Sequence, residues 1–298
     1  EGGWTPDRRH PALSRCIMGL VRSAPMMPDE DLHQRALKAL MIADPADKSA
    51  AVTALCADRR QGALPTPASS LAPVRQVDDP GRPLRPELVV HTSMPRRKPG
   101  SPGGHAALLH AIAHIEFNAI NLALDCVYRF HGLPDDFYDG WLQVAAEEAY
   151  HYGLVVDRLA ALGHAYGDFP AHRGLWDMAV KTAGDPLVRM ALVPRVLEAR
   201  GLDATPPIVA ALRRIGDEAT IAVLDIILGD EIGHVALGDR WFRHFCGQRG
   251  LEPEATYLSL MREFDAPWPP RPLNVEARQR AGFSSAEIAC LEAGKPRP

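Results

Sequence analysis

The chain is poor in the features that would commit it to a disulfide scaffold, a membrane or a nucleic acid. Its 298 residues hold five cysteines: Cys16, Cys56, Cys126, Cys246 and Cys290. They are scattered, odd in number and form no Cys-x-x-Cys pair, which excludes a disulfide framework and a zinc ribbon. Reduced thiols in a cytoplasmic protein are the expectation. The net charge of −4 supplies no global basic field for nucleic acid. No run of about 18 predominantly apolar residues is evident, so no membrane span is expected. The longest uncharged run, 99–115, is broken by Pro102, Gly103 and Gly104. No segment alternates with period two, which leaves sheet structure without support. No glycine fingerprint for a flavin or a nicotinamide cofactor is present either.

What is there is helical. Hydrophobic residues make up 46% and charged residues 23%, an ordinary globular balance that allows a large core. Residues 1–61 read as loops with two short helices, at 29–42 and 46–57. Residues 62–104 carry nine prolines between Pro65 and Pro102, which exclude a long helix and indicate an extended strap. Residues 105–250 read as four long helices. The first runs from His105 to Phe130 and the second from Asp135 or Asp136 to Leu162. A crossover at 163–184 contains a helical piece. The third helix starts at Asp185 and Pro186, kinks at Pro194 and ends near Leu202. Pro206-Pro207 opens a separate piece, and the fourth helix runs from Asp217 to about Cys246. Residues 251–298 form a Pro-rich extension with three short helices, the last opened by a capping box at Ser284 to Glu287. The fold class is therefore all-α, a four-helix bundle with flanking straps.

Two fragments carry the chemistry: Glu148-Ala149-Tyr150-His151 and Glu231-Ile232-Gly233-His234. Residues i and i+3 share a helix face, so each Glu and His can reach one point. A lone Glu lies 32 residues before the first fragment (Glu116) and 33 before the second (Glu198), both in apolar surroundings. One Glu plus one Glu-x-x-His, given twice, is the ligand set of a dinuclear metal site in a four-helix bundle. Four carboxylates would balance two divalent cations. Without metal they would repel one another at a large desolvation penalty. Glutamate and neutral imidazole suit iron, or iron with manganese, and zinc can substitute during crystallisation. The acids preceding each fragment, Glu147 and Asp230, are candidates to orient the histidines. His114 and Arg200 are further candidates beside the site. Gly238, one turn past His234, could open space for O₂ or substrate. No catalytic residue beyond the metal site is assigned.

The sequence also resembles a bacterial ferritin-like family of unknown function. The segments that carry the resemblance are 109–116 (LHAIAHIE), 166–172 (YGDFPAH), 197–203 (LEARGLD), 230–235 (DEIGHV) and 269–274 (PPRPLN). It covers roughly residues 85–285. That family is similar to the tRNA-modifying di-iron hydroxylases in bundle and ligand pattern. The resemblance implies metal ligands Glu116, Glu148, His151, Glu198, Glu231 and His234, all intact, but supplies no substrate.

The function expected is an O₂-activating di-iron oxidoreductase of hydroxylase or oxygenase type, with two iron ions and O₂ as co-substrate. Its substrate is an unidentified small molecule or an RNA-linked group, and electrons come from an external donor. A tRNA partner is the less favoured case: the net charge opposes it and only Arg96-Arg97-Lys98 speaks for it. No membrane is involved, and the chain is a monomer or dimer. The alternative is an iron-binding, ferroxidase or metal-buffering protein without an organic substrate. The straps at 62–104 and 265–283 are expected to roof the site.

Overall fold

Aspartate starts four of the helices. Its carboxylate accepts the free amides of a first turn, and it does so at Asp31 (Gln34 N, 2.8 Å), Asp44 (Ala46 N, 2.9 Å), Asp185 (Leu187 N, 2.8 Å) and Asp217 (Thr220 N, 3.0 Å). The computed structural model describes residues 31–67, 73–94, 101 and 103–295. Among the described residues there are eleven α-helices and no strand. They are α1 (Leu32–Met41), α2 (Pro45–Arg60), α3 (Gly104–Arg129), α4 (Asp135–Ala161), α5 (Gly174–Lys181) and α6 (Pro186–Leu192). A π-turn, Val193–Glu198, joins α6 to α7 (Ala199–Ile215). Then come α8 (Glu218–Gln248), α9 (Pro253–Glu263), α10 (Val275–Arg280) and α11 (Ser285–Ala293). The capping box stands as expected: Ser284 and Glu287 exchange side-chain and backbone bonds at the start of α11. Arg96-Arg97-Lys98 and Cys16 lie outside the described residues.

α3 and α4 pack along their lengths, and α8 lies against α4 and against the continuous segment α6, π-turn and α7. α1 and α2 cover α3 and α4 from outside, while α9 and α10 pack on α6, α7 and α8. One apolar core runs through all of these elements, from Leu32 to Leu291.

Three expectations are corrected. α3 is by length and composition apolar enough to cross a membrane, so the chain does contain such a run, beginning where the Pro-Gly-Gly break ends. Here 72% of its most apolar stretch is covered by the rest of the protein, and Glu116, Asn121 and Asp125 are buried along it. It is the central helix of the core. Second, Pro206-Pro207 does not open a new helix, since α7 runs through both. Pro206 lacks the N–H that would bond the Leu202 carbonyl, and the Asn274 side-chain amide donates to that carbonyl instead, at 3.2 Å. Third, the described part of the 62–104 strap does not roof the Glu/His pairs. Lys48, buried and held by the carbonyls of Leu40 (2.9 Å) and Gly81 (2.8 Å) and by Asn121, fixes the strap to α1 and α3. A single bridge joins Leu88 to Ala171 of the crossover. The strap thus borders His114, Asn118 and Asn121. These lie roughly 140–200° around α3 from Glu116, at about 100° per residue.

Candidate metal centre

Four helical segments each deliver part of one buried cluster. α3 brings Glu116, α4 brings Glu148 and His151, α8 brings Glu231 and His234, and the π-turn ends on Glu198. Glu116, Glu148 and His151 place ligand atoms within 4.8 Å of one another, and so do Glu148, Glu231 and His234. Glu148 belongs to both groups, with Oε2 3.5 Å from His151 Nδ1 and Oε1 3.0 Å from His234 Nδ1. His151 Nδ1 also lies 3.4 Å from Glu116 Oε2, and His234 Nδ1 lies 3.9 Å from Glu231 Oε1. The two imidazole rings stand 5.9 Å apart.

The outer nitrogens are crossed between the two fragments. His151 Nε2 meets Asp230 Oδ2 at 3.0 Å, and His234 Nε2 meets Glu147 Oε2 at 2.8 Å. Each Glu-x-x-His therefore presents an acid to the histidine of the other. A carboxylate can only accept while ionised. The outer nitrogen then carries the proton, and a neutral ring turns a bare Nδ1 inward.

The electrostatics are those of an array short of positive charge. Burial, then the charge of Glu148, pushes the Glu116 carboxyl up to about 7. The same two causes push Glu198 up to about 8 and hold Glu231 well above the carboxylate range. Burial opposes the charged form of both histidines. Hydrogen bonding of His151 to Asp230 and the charge of Glu148 beside His234 outweigh it, and both are held well above the usual imidazole value. Glu148 goes the other way. Burial works against its charge, but His234 and His151 flank it and keep it below the ordinary range.

The charges of Glu148, His234 and Glu116 act on Glu198, yet it joins neither three-residue group. The expected pairing of Glu198 with Glu231 and His234 is replaced by a second group built on Glu148.

A family model described as "Protein of unknown function (DUF455)" matches residues 41–289, which include all six of these positions. The chain belongs to this family. An uncharacterized protein of Haemophilus influenzae (strain ATCC 51907 / DSM 11121 / KW20 / Rd) is 46% identical over 215 residues, covering 69% of this chain and 74% of the relative. No solved structure matches the chain.

Two suggested neighbours are not brought to the cluster of this DUF455 chain. His114 Nε2 lies 3.0 Å from the His172 carbonyl, and its Nδ1 lies 2.8 Å from the Tyr166 hydroxyl. It sits two residues from Glu116 and so faces nearly the opposite way. Arg200 is exposed, and its charge acts on His172. The space expected beside Gly238 is filled. A Cβ there would lie 2.3 Å from Pro194, so the absent side chain admits the proline ring of the π-turn.

Sequence reasoning missed the buried arginines. Arg189 reaches Asp125 at 2.7 Å, and Arg195 lies 2.9 Å from Asp239 and 2.5 Å from Glu287. The signal was there: Arg195 is a lone charge in the apolar run Val193-Pro194-Arg195-Val196-Leu197, and Asp125 is another between Leu124 and Cys126.

The crossed acids give a direct test of the geometry. Asp230→Ala should weaken metal binding by about 10–100-fold, the usual loss when an outer partner of a ligating histidine goes. Glu147→Ala should do the same through His234. Competition with a chelator measures both, and wild-type affinity in the two variants would contradict the crossed arrangement.

Proposed function

We propose that this chain is a ferritin-like di-iron carboxylate protein and acts as an O₂-activating oxidoreductase of the hydroxylase type. One observation carries the reading. Seven buried side-chain atoms of the six expected ligands have no hydrogen-bond partner: Glu116 Oε2, Glu148 Oε1 and Oε2, His151 Nδ1, Glu198 Oε2, Glu231 Oε2 and His234 Nδ1. Leaving one buried polar group unsatisfied costs about 1–3 kcal/mol, and more if it is charged. Seven in one place call for a common partner. All seven are electron-pair donors once the histidines are neutral, so the partner is cationic. Oxygen and imidazole donors in this mixture suit iron or manganese.

The fit extends to charge, because four glutamates neutralise two divalent ions. Ligands arriving from α3, α4, the α6–α7 segment and α8 follow the arrangement of di-iron bundles, in which a Glu from two helices joins a Glu-x-x-His from the other two. When bound, a pair of iron ions would supply two-electron reduction of O₂. The protein's part is to hold, orient and shield. Glu148, shared by the two groups, would contact both ions. Asp230 and Glu147 keep the outer protons of the histidines and fix which nitrogen faces in. Apolar residues of α3 and α8, Ile120 and Val235 among them, are wholly buried in the surrounding core. Solvent reaches the cluster where the side chains of Glu231, Asp230 and Glu147 are 12%, 20% and 22% exposed. Substrate identity and electron donor are open in this proposal.

Protein expressed with added iron should contain about two iron ions per chain and, once reduced, consume O₂ with a change in its near-ultraviolet and visible absorption. Less than about one metal ion per chain would overturn the proposal. A large iron-loaded assembly in light scattering would favour the ferroxidase or storage reading instead.

A further inference from the structure

The π-turn that ends on Glu198 is built with one carbonyl to spare, and the carboxyl-terminal extension supplies its donor. In α-helical register the Ala199 N–H would bond the carbonyl four residues back, on Arg195. Here it bonds Pro194, five back. The Arg195 carbonyl is thereby released, and the Tyr257 hydroxyl of α9 donates to it at 3.1 Å. Tyr257 is itself buried.

The Arg195 side chain is held by the same part of the chain. Its guanidinium lies 4.2 Å from the centre of the Tyr257 ring, 4.6 Å from Phe242 and 4.7 Å from Phe283. It pairs with Asp239 and Glu287, and Arg243 completes the set at 2.8 Å from Asp239 and 3.1 Å from Glu287. Two arginines and two acids thus neutralise one another around the turn. A buried ion network of this kind adds little net stability over apolar packing and in some proteins selects one arrangement of the backbone.

Past Glu198 the grip continues. Arg278 of α10 meets Asp203 at 2.6 Å and the Ala199 carbonyl at 3.3 Å, and Asn274 serves both Asp203 and Leu202. The backbone is therefore fixed on both sides of Glu198 by residues 257–287.

We propose that the carboxyl-terminal extension is a positioning device for Glu198, holding the preceding turn in π register so that this carboxylate meets the metal cluster. A return to α register would rotate Glu198 by roughly 100° against the residues before the turn. The inference rests on the metal-centre reading. It assigns residues 253–293 a role at that centre although none of them supplies a ligand.

The test uses the full chain and Tyr257→Phe, which removes the hydroxyl and leaves the ring against Arg195. Two readouts are taken: backbone hydrogen exchange over 193–200 in metal-free protein, and an anaerobic Co(II) titration followed by absorbance. Exchange in the turn should quicken about tenfold, as local opening becomes easier. One of the two Co(II) equivalents should weaken about tenfold or more, while the other is unchanged. Arg195→Lys, which keeps the charge and loses the fork, should weaken the same equivalent, and Glu198→Ala should abolish it. Wild-type protein that binds two equivalents, with Tyr257→Phe matching it in both affinities, overturns the positioning role alone. Wild-type protein that binds no Co(II) overturns the metal reading and this inference with it.

Discussion

Glu148→Ala should strip the protein of both metal ions rather than one. Its two oxygens are divided between the groups, one toward His151 and one toward His234, so no other single residue serves both. Removing a ligand shared by two ions should exceed the roughly 10–100-fold loss expected for an outer partner. Metal analysis of the purified variant, beside Glu116→Ala and Glu231→Ala, reads the result. Each of the latter touches one group only and should keep part of the metal. Equal metal in Glu148→Ala and wild type would remove the basis for a dinuclear site. The variant should remain folded, because deleting one carboxylate relieves repulsion on Glu116, Glu198 and Glu231, whose carboxyls it helps push up.

The second large effect is on stability. A ligand that binds only the folded chain, at 100 times its Kd, adds about 2.7 kcal/mol. Two ions add about 5 kcal/mol, enough to raise the thermal midpoint of a chain this size by about 10 °C. The gain should grow with pH, and the sign follows from the cluster. In metal-free protein Glu116, Glu198 and Glu231 have folded pKa values above their ordinary ones, as do His151 and His234. These five groups hold more protons in the folded state than in the unfolded state, so their contribution to stability falls as pH rises. For Glu116 and Glu198 the window runs from the ordinary 4.5 to about 7 and about 8. Glu148 acts oppositely, but its contribution is lost only on acidifying below 4.5. Burial pulls His110, His114 and Lys48 the other way, but these groups lie outside the cluster and titrate alike with and without metal, so the gain from metal should be larger at pH 8 than at pH 6. Thermal melts at both pH values, with and without Fe(II) under anaerobic conditions, decide it. A gain from metal that shrinks from pH 6 to 8 would contradict the charge account of the cluster.

Much of the molecule was legible in the sequence because the signals are local. Helix positions followed from apolar spacing and aspartate caps. The two Glu-x-x-His fragments followed from the i, i+3 rule. Glu147 and Asp230 stood out as acids beside ligands, but their crossing did not, because it depends on how α4 and α8 lie against each other. His114 was misplaced because its hydrogen bonds run to the crossover, not to the cluster.

The sequence by itself determined an all-helical chain with six candidate ligands on four helical segments, because periodicity and residue chemistry are carried along the chain. Only the tertiary structure decided which of these side chains lie together, that Glu148 is common to both groups, and which face of α3 the strap covers. It alone decided that α7 runs through Pro206-Pro207 and that Glu198 arrives on a π-turn. The physical reason is the same for both: a missing or displaced backbone hydrogen bond is tolerated only where a distant side chain replaces it. Asn274 and Tyr257 do so here, from about 60–70 residues away along the chain.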